Sequence, residues 1–382
     1  MLAGIVSSKS IQAFALAFLL ASCAGVPGDV IGIDGQAVSA RDLEGVNKHR
    51  ILVATTRKQS DDPAIMFSGG RGALSFAHVD VYVPPNHEPG KIERAGSMPP
   101  DPRKEFVALD PVKLPDGSAF VSTLNTELTK LPKGERDVLV FIHGFNTSFD
   151  SAIYRLAQFV NDSGYTGIPV LFTWPSAGRT RDYLYDLNSA LASRDELLET
   201  FQLVGKSKLE RGDILAHSMG NMLTVEALRQ AALVGKFRRS QKPKLRYVVL
   251  ASPDVDVYLF AKQVKSLPVD TYDFFTLISR DDKALRFSKF LAGGARVGGA
   301  DTDSLKNLGI TIVDLTDVKN ANGTHSKFAG SPEIVRALGG VLGTGGSVDT
   351  SREPPAGVQV IRSVINIPST LLGGVLPPAA PN

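Results

Sequence analysis

The sequence predicts an α/β protein with a mainly parallel, doubly wound sheet and helices on both faces. Three observations predict it. From Arg50 onward, apolar runs of strand length alternate with stretches of helical spacing. Most of those runs are apolar throughout, as strands covered on both faces are. At 382 residues, 43% hydrophobic and 21% charged, the chain is long enough for a full core and has the composition of an ordinary globular protein.

Along the chain, "ILVATT", "FAHVDVYV" and "EFVAL" have the β-branched or alternating character of early strands. Pro84, Pro85, Pro99, Pro100, Pro102 and Pro111 confine the segments between them to loops. "VLVFIH" (138–143) is a continuous apolar strand, and "SAIYRLAQFVNDSG" has helical spacing that closes at Gly164. "IPVLFTW" is a further buried strand, followed by one long helical stretch from about Asp182 to Val204. "GDILAHS" runs into the helical "MGNMLTVEALRQAALVG", and "LRYVVLAS", "DFFTLIS" and "ITIVDLT" are later strands. "GGARVGG" (293–299) follows a helix and lacks the G-K-[ST] ending of a nucleotide loop, so it is expected to be a flexible loop.

The domain spans 46–340. A Gly/Pro-rich tail (341–382) follows, in which "VQVIRSVINI" fits an edge strand, a membrane-contacting segment or a weakly ordered stretch. At the other end, "IQAFALAFLLAS" is too short to span a bilayer but has the length of a secretory apolar region, with Lys9 before it. "LASC" (20–23) resembles the lipobox of bacterial lipoproteins. Residues 1–22 are therefore expected to be a signal peptide of lipoprotein type, with Cys23 as the lipidation site and 23–45 as a flexible tether. The chain is then exported and anchored to a membrane facing the periplasm or the cell exterior. Cys23 is the sole cysteine, which excludes an intramolecular disulfide and a thiolate metal cluster. A net charge of +3 gives no reason to expect a nucleic-acid partner.

Chemistry concentrates at strand ends. In "DILAHSMGNMLTVEAL", Ser218 stands where a buried strand turns into a helix, the setting of a strained nucleophile elbow. Gly220 supplies one of the small flanking positions, and Ala216 stands where the G-x-S-x-G pattern has glycine. A helix N-cap is the bland role for such a serine. The turn "HGF" after the strand at 138–143 can present backbone N–H groups to a developing oxyanion, with Phe145 and Met219 as the donors. His143 is expected to be structural.

A serine nucleophile needs a histidine base and a carboxylate that orients it, in the chain order Ser, acid, His. His325 is the one histidine after Ser218 and lies in a loop after a strand, as the base should. His217 is expected to be a packing neighbour. For the acid, "SRDD" favours Asp282, with Asp254 as the alternative and an N-cap as its bland role; Asp281 is expected to be solvated. Trp174 and Tyr183, around "TWPSAG", are candidates for substrate contact. The six histidines show no metal-ligand spacing, and the chemistry requires neither metal nor cofactor.

"ATTR", "VDVYVPPNHEPG", "FIHGFN", "TWPSAG", "LAHSMGN", "ASPDVD", "SRDDKAL" and "THSKF" together resemble the blocks of a bacterial α/β-hydrolase family of unassigned function in the esterase/lipase superfamily. The resemblance implies an α/β-hydrolase fold with Ser218 as nucleophile and His325 as base, and Ala216 looks usual for that family. The expected activity is that of a serine hydrolase acting on a small-molecule or lipid carboxylic ester through an acyl-enzyme. An acyl transferase or peptidase would use the same triad, and a membrane-anchored binding module would keep the fold without catalysis.

Overall fold

The computed structural model describes residues 43–343, apart from 63–64, 97–98, 235–243, 268, 270–271, 306–307 and 320–322, together with residues 356–362. The expected signal peptide, Cys23, nearly all of the tether and most of the tail lie outside the described residues.

The strands are β1 (Asn47–Gln59), β2 (Phe67–Val83), β3 (Val107–Leu114), β4 (Asp137–Ile142), β5 (Ile168–Thr173), β6 (Arg211–His217), β7 (Leu245–Ala251), β8 (Asp273–Ile278), β9 (Thr311–Asp314) and β10 (Gln359–Arg362). They form one ten-stranded sheet in the order β10-β9-β8-β7-β6-β4-β5-β1-β2-β3. The run from β1 through β9 across β5, β4, β6, β7 and β8 is parallel throughout. β2 and β3 extend it antiparallel on one side, and β10 pairs antiparallel with β9 on the other. Of the three readings of "VQVIRSVINI", its 359–362 portion is thus an edge strand.

Alternation along the central strands explains their unbroken apolar character. In β4, Val138, Val140 and Ile142 enter one core layer, and Leu139 and Phe141 enter the other. The first layer is covered by α1 (Gly117–Lys130), α3 (Tyr183–Ala192), α4 (Arg194–Gly205), α5 (Gly220–Leu233) and α6 (Val257–Val264). The second is covered by α2 (Phe149–Ser163), the short α8 (Lys327–Gly330) and α9 (Pro332–Gly343). α7 (Lys283–Ala292) follows β8.

Four expectations need correction. β3 runs through Pro111, because it is the edge strand and Asp110, in the left-handed region at φ 51°, makes a bulge that spares the missing N–H. The single helix from 182 to 204 is two, broken at Ser193, whose hydroxyl turns back to Ser189 O and to Thr56. α1 was not among the expected elements, although Phe120, Leu124 and Leu128 lie four apart and Asp116 caps Ala119 N. The 293–299 segment is not a loose loop at its C-terminal end: Val297–Gly299 forms a 3₁₀ turn, and Gly298 N donates to Pro253 O at 2.9 Å.

α9 meets the end of α2 at Gly339, where a Cβ would stand 2.0 Å from Ser163 O. Backbone cannot yield cheaply there, so Gly339→Ala is expected to destabilise the fold by about 1–3 kcal/mol, read from the chemical denaturation midpoint. An unchanged midpoint would mean that α9 separates from α2 without cost.

Candidate active site

Ser218 lies between the last residue of β6 and α5, with φ 54°, in the left-handed region that non-glycine residues avoid. Its backbone is held from three directions. Its N–H donates to Ala251 O at 2.9 Å, and its carbonyl accepts from Asp254 N at 3.1 Å and from Asn221 Nδ2 at 2.9 Å. Asn221 Nδ2 also bonds Ala251 O, so one buried side chain ties the turn to the end of β7.

Two glycines make room for this turn. A Cβ on Gly220 would fall 2.3 Å from His143 O, and one on Gly144 would fall 2.7 Å from Ser218 Cβ. Ala216, by contrast, is a fully buried strand residue in the core layer on the α5 side. Glycine is needed after the serine here, and the methyl group before it is accommodated. Among the described residues, neither the Phe145 N–H nor the Met219 N–H has a hydrogen-bond acceptor.

His325 and Asp282, 43 residues apart, meet through Nδ1 and Oδ2 at 2.7 Å. The Asp282 side chain is wholly buried, that of His325 is 23% exposed, and the other Asp282 oxygen caps α7 through Leu285 N. With Nδ1–H donated to the carboxylate, Nε2 of the neutral ring is left as the acceptor. The loop of His325 is pinned beside it: Lys283 N donates to Thr324 Oγ1, and the buried Lys327 ammonium reaches Asp281 at 2.9 and 3.1 Å, Leu315 O at 2.8 Å and Thr316 O at 2.9 Å.

Asp254 is brought to a different neighbourhood. It lies buried among Tyr183 Oη (3.1 Å), Ser288 and Arg296 (3.3 Å), and the N-cap of α6 is Asp256. Asp281 is not simply solvated, since Lys327 and Ser279 both bond it and hold its pKa below the usual carboxylate value against the effect of burial. Trp174 is fully buried, stacked on His143 with ring centroids 4.8 Å apart and bonded to His143 O. Tyr183 is buried too, so neither ring offers a substrate surface.

His143 is structural. Nδ1–H donates to Gly144 O, Nε2 accepts from Thr173 Oγ1, and burial lowers its pKa to about 3, with the nearby Arg57 adding to that effect. His217 packs against the rings of His325 and Phe328, both at 4.7 Å, and donates from Nε2 to His325 O; burial, then His325, holds it neutral.

Two further buried charged residues, Arg57 and Asp186, hold the loops around the site, and sequence reasoning assigned neither a role. Arg57, fully buried in β1, donates to Thr173 Oγ1 (2.8 Å), Ser176 O (3.0 Å) and Thr147 O (2.6 Å), fastening the loops after β4 and β5 together. Asp186 accepts from Asn146 N, Ala177 N and Ser176 Oγ, holding the same two loops from α3. A charged residue inside an apolar strand was the available signal for Arg57; Asp186 carried none.

A cleft of about 590 Å³ opens beside this cluster, lined in part by Gly144, Phe145, His217 and His325. Ser218 lies against Gly144 at its edge. One wall is the segment 90–94, whose fold is set by His87, bonded by Glu93 and Asp162 at 2.7 Å each.

The family described as alpha/beta hydrolase of unknown function (DUF900) matches residues 118–341, more than half of the chain. The chain belongs to this family. The α/β hydrolase match runs from α1 into α9 and includes Ser218, Asp282 and His325. No curated protein matches this α/β hydrolase in sequence. Among solved structures it is similar to an esterase of Pyrobaculum calidifontis, at 12% identity over 88% of this chain and 93% of that one, with a TM-score of 0.33. It is also similar to a thermostable esterase from Pseudomonas putida ECU1011, at 14% identity over 89% of each chain, with a TM-score of 0.35. Scores that low add nothing to the family match.

Two outcomes follow from this geometry. Gly220→Ala forces backbone apart at the elbow and is expected to cost about 2–3 kcal/mol, measured by denaturant unfolding; a loss below 0.5 kcal/mol would show that α5 shifts freely. For His87, burial lowers the pKa, but the hydrogen bonds it donates to Asp162 and then Glu93 outweigh it and raise the pKa above 6.5. Its contribution to stability is therefore full below about pH 6.5 and lost as pH rises through the higher folded value. Melting of wild type and His87→Asn from about pH 6 to 9 should show a gap that narrows with pH, and a constant gap would show that the charge contributes nothing.

Proposed function

We propose that the protein is a serine hydrolase of carboxylic esters, with Ser218 as nucleophile, His325 as base and Asp282 as the acid that orients it. The observation that carries this reading is the 2.7 Å contact of His325 Nδ1 with Asp282, together with a serine in strained backbone at a strand-to-helix turn. Ser218 Oγ attacks the ester carbonyl while His325 Nε2 takes its proton. The C–O bond to the alcohol then breaks, and the departing alkoxide takes the proton from Nε2, leaving an acyl group on Ser218. Water, deprotonated by the same nitrogen, releases the acid and restores the serine. The N–H groups of Phe145 and Met219, free of other acceptors, support the assignment of the oxyanion site to them. None of these steps calls for a cofactor.

Ser218→Ala is expected to abolish labelling by a fluorophosphonate probe, with ester turnover falling to background. Equal labelling of the variant would defeat the proposal. Asp282→Asn is expected to lower kcat by about 10³–10⁴-fold by stabilising the wrong imidazole tautomer, and Asp254→Asn by much less. The reverse order would assign the acid to Asp254.

The protein is further proposed to be exported and held at a membrane by acylation of Cys23, on the strength of "LASC" after an apolar run. Acyl chains contribute roughly 0.8 kcal/mol per buried methylene, so two or more of them anchor stably. Cys23→Ser is expected to move the protein from the membrane to the soluble fraction; unchanged fractionation would rule out the anchor.

A further inference from the structure

The cleft beside His325 has a basic wall. Lys91, Arg94 and Arg155 line it, and no acidic side chain does so among the described residues. Two of these cations are already answered. Lys91 pairs with Glu88, while Arg94 pairs with Asp150 at 2.7 Å and lies over the ring of Tyr154.

Arg155 is different. It projects from α2 and forms no ion pair with any carboxylate among the described residues. Its side chain donates from Nη1 to Gln158 Oε1 at 2.7 Å. Gln158 is completely buried and cannot turn, because its Nε2 donates to Asp162 Oδ2 and to Ala329 O. The nearby carboxylate, Asp162, is occupied by His87, Gly90 N, Gln158 and Asn161. A neutral amide therefore orients the guanidinium, and its charge is met only at a distance by Asp162, without an ion pair. Burial, then the neighbouring Arg94, lowers the Arg155 pKa to about 10, which still keeps it protonated near neutrality. Holding a cation without an ion-pair partner in a half-buried wall is costly, and an anion entering the cleft would relieve that cost.

We propose that the cleft receives an anionic group of the substrate, a carboxylate or a phosphate, and that Arg155 is the specificity-determining residue that binds it. This rests on the reading of Ser218 as a hydrolytic nucleophile: the substrate is an ester whose reacting carbonyl lies at Ser218 and whose charged end extends past His325 into the cleft. Arg155 offers planar, paired N–H donors, the geometry that both oxyanions accept.

The test compares 4-nitrophenyl hydrogen glutarate, which carries one carboxylate, with the uncharged 4-nitrophenyl valerate, using the full chain. Wild type is expected to favour the glutarate ester by about tenfold or more in kcat/KM. Arg155→Gln is expected to erase most of that preference, mainly through KM, and Arg155→Lys to restore part of it. A preference that Arg155→Gln leaves intact, or no preference in wild type, overturns the inference.

Calorimetric binding of glutarate and of phenyl phosphate to Ser218→Ala supplies a readout that needs no turnover. Tighter glutarate identifies a carboxylate substrate and tighter phenyl phosphate a phosphorylated one. Absence of both, or binding unaffected by adding Arg155→Gln, overturns the inference. Arg155-dependent binding without any Ser218-dependent turnover would keep the anion site and defeat the hydrolase reading. Ser218-dependent turnover of valerate with no anion effect would do the reverse.

Discussion

The candidate site depends on how closely α5 approaches the end of β4. Gly220, the first residue of that helix, leaves no space for a side chain before the carbonyls of His143 and Ile142. Because the helix lies so close to β4, the chain between β6 and α5 turns within two residues. Ser218 must take the left-handed backbone conformation, at a cost of order 1–3 kcal/mol. The cost is carried by bonds that converge on the serine from β7, from Asn221 and from Asp254 N. The same contact fixes where Gly144 lies, and so where the amides after β4 point.

Around this contact, buried charged and polar side chains hold loops in register. Arg57 and Asp186 grip the loops after β4 and β5, mostly through backbone groups and also through the Ser176 hydroxyl. Lys327 does the same for the His325 loop, drawing it onto the ends of β9 and onto Asp281. Such groups are expensive to bury unless their hydrogen bonds are met, so each fixes one arrangement of its loop in preference to many. Asp282 combines two roles, capping α7 with one oxygen and bonding His325 with the other, which makes the start of that helix part of the geometry at His325.

The two ends of the site differ in how they treat charge. At Ser218, the neighbouring histidines His143 and His217 are kept neutral by burial, with both ring nitrogens of His143 and Nε2 of His217 committed to carbonyls or a hydroxyl. In the cleft, Arg155 is kept charged and held by an amide. On the proposed reading, the neutral end at Ser218 and the cationic wall suit a substrate whose ester and charge are separated in space.

Much of this was legible in the sequence. Unbroken apolar runs marked strands buried on both faces, and "LAHSMGN" marked a turn that needs a small residue at Gly220. These signals are local, arising from side-chain periodicity and backbone sterics within a few residues. The order of serine, aspartates and one late histidine narrowed the partners and favoured Asp282, with Asp254 as the alternative. Tertiary structure directs Asp254 to Arg296 and Ser288 and Asp282 to His325. It also broke the helix at Ser193, carried β3 through Pro111 at the sheet edge, buried Trp174, and set Arg155 beside His325 across the cleft. Those outcomes depend on which distant groups meet and on what charge remains unanswered when they do. Neither is encoded in the spacing of any one segment.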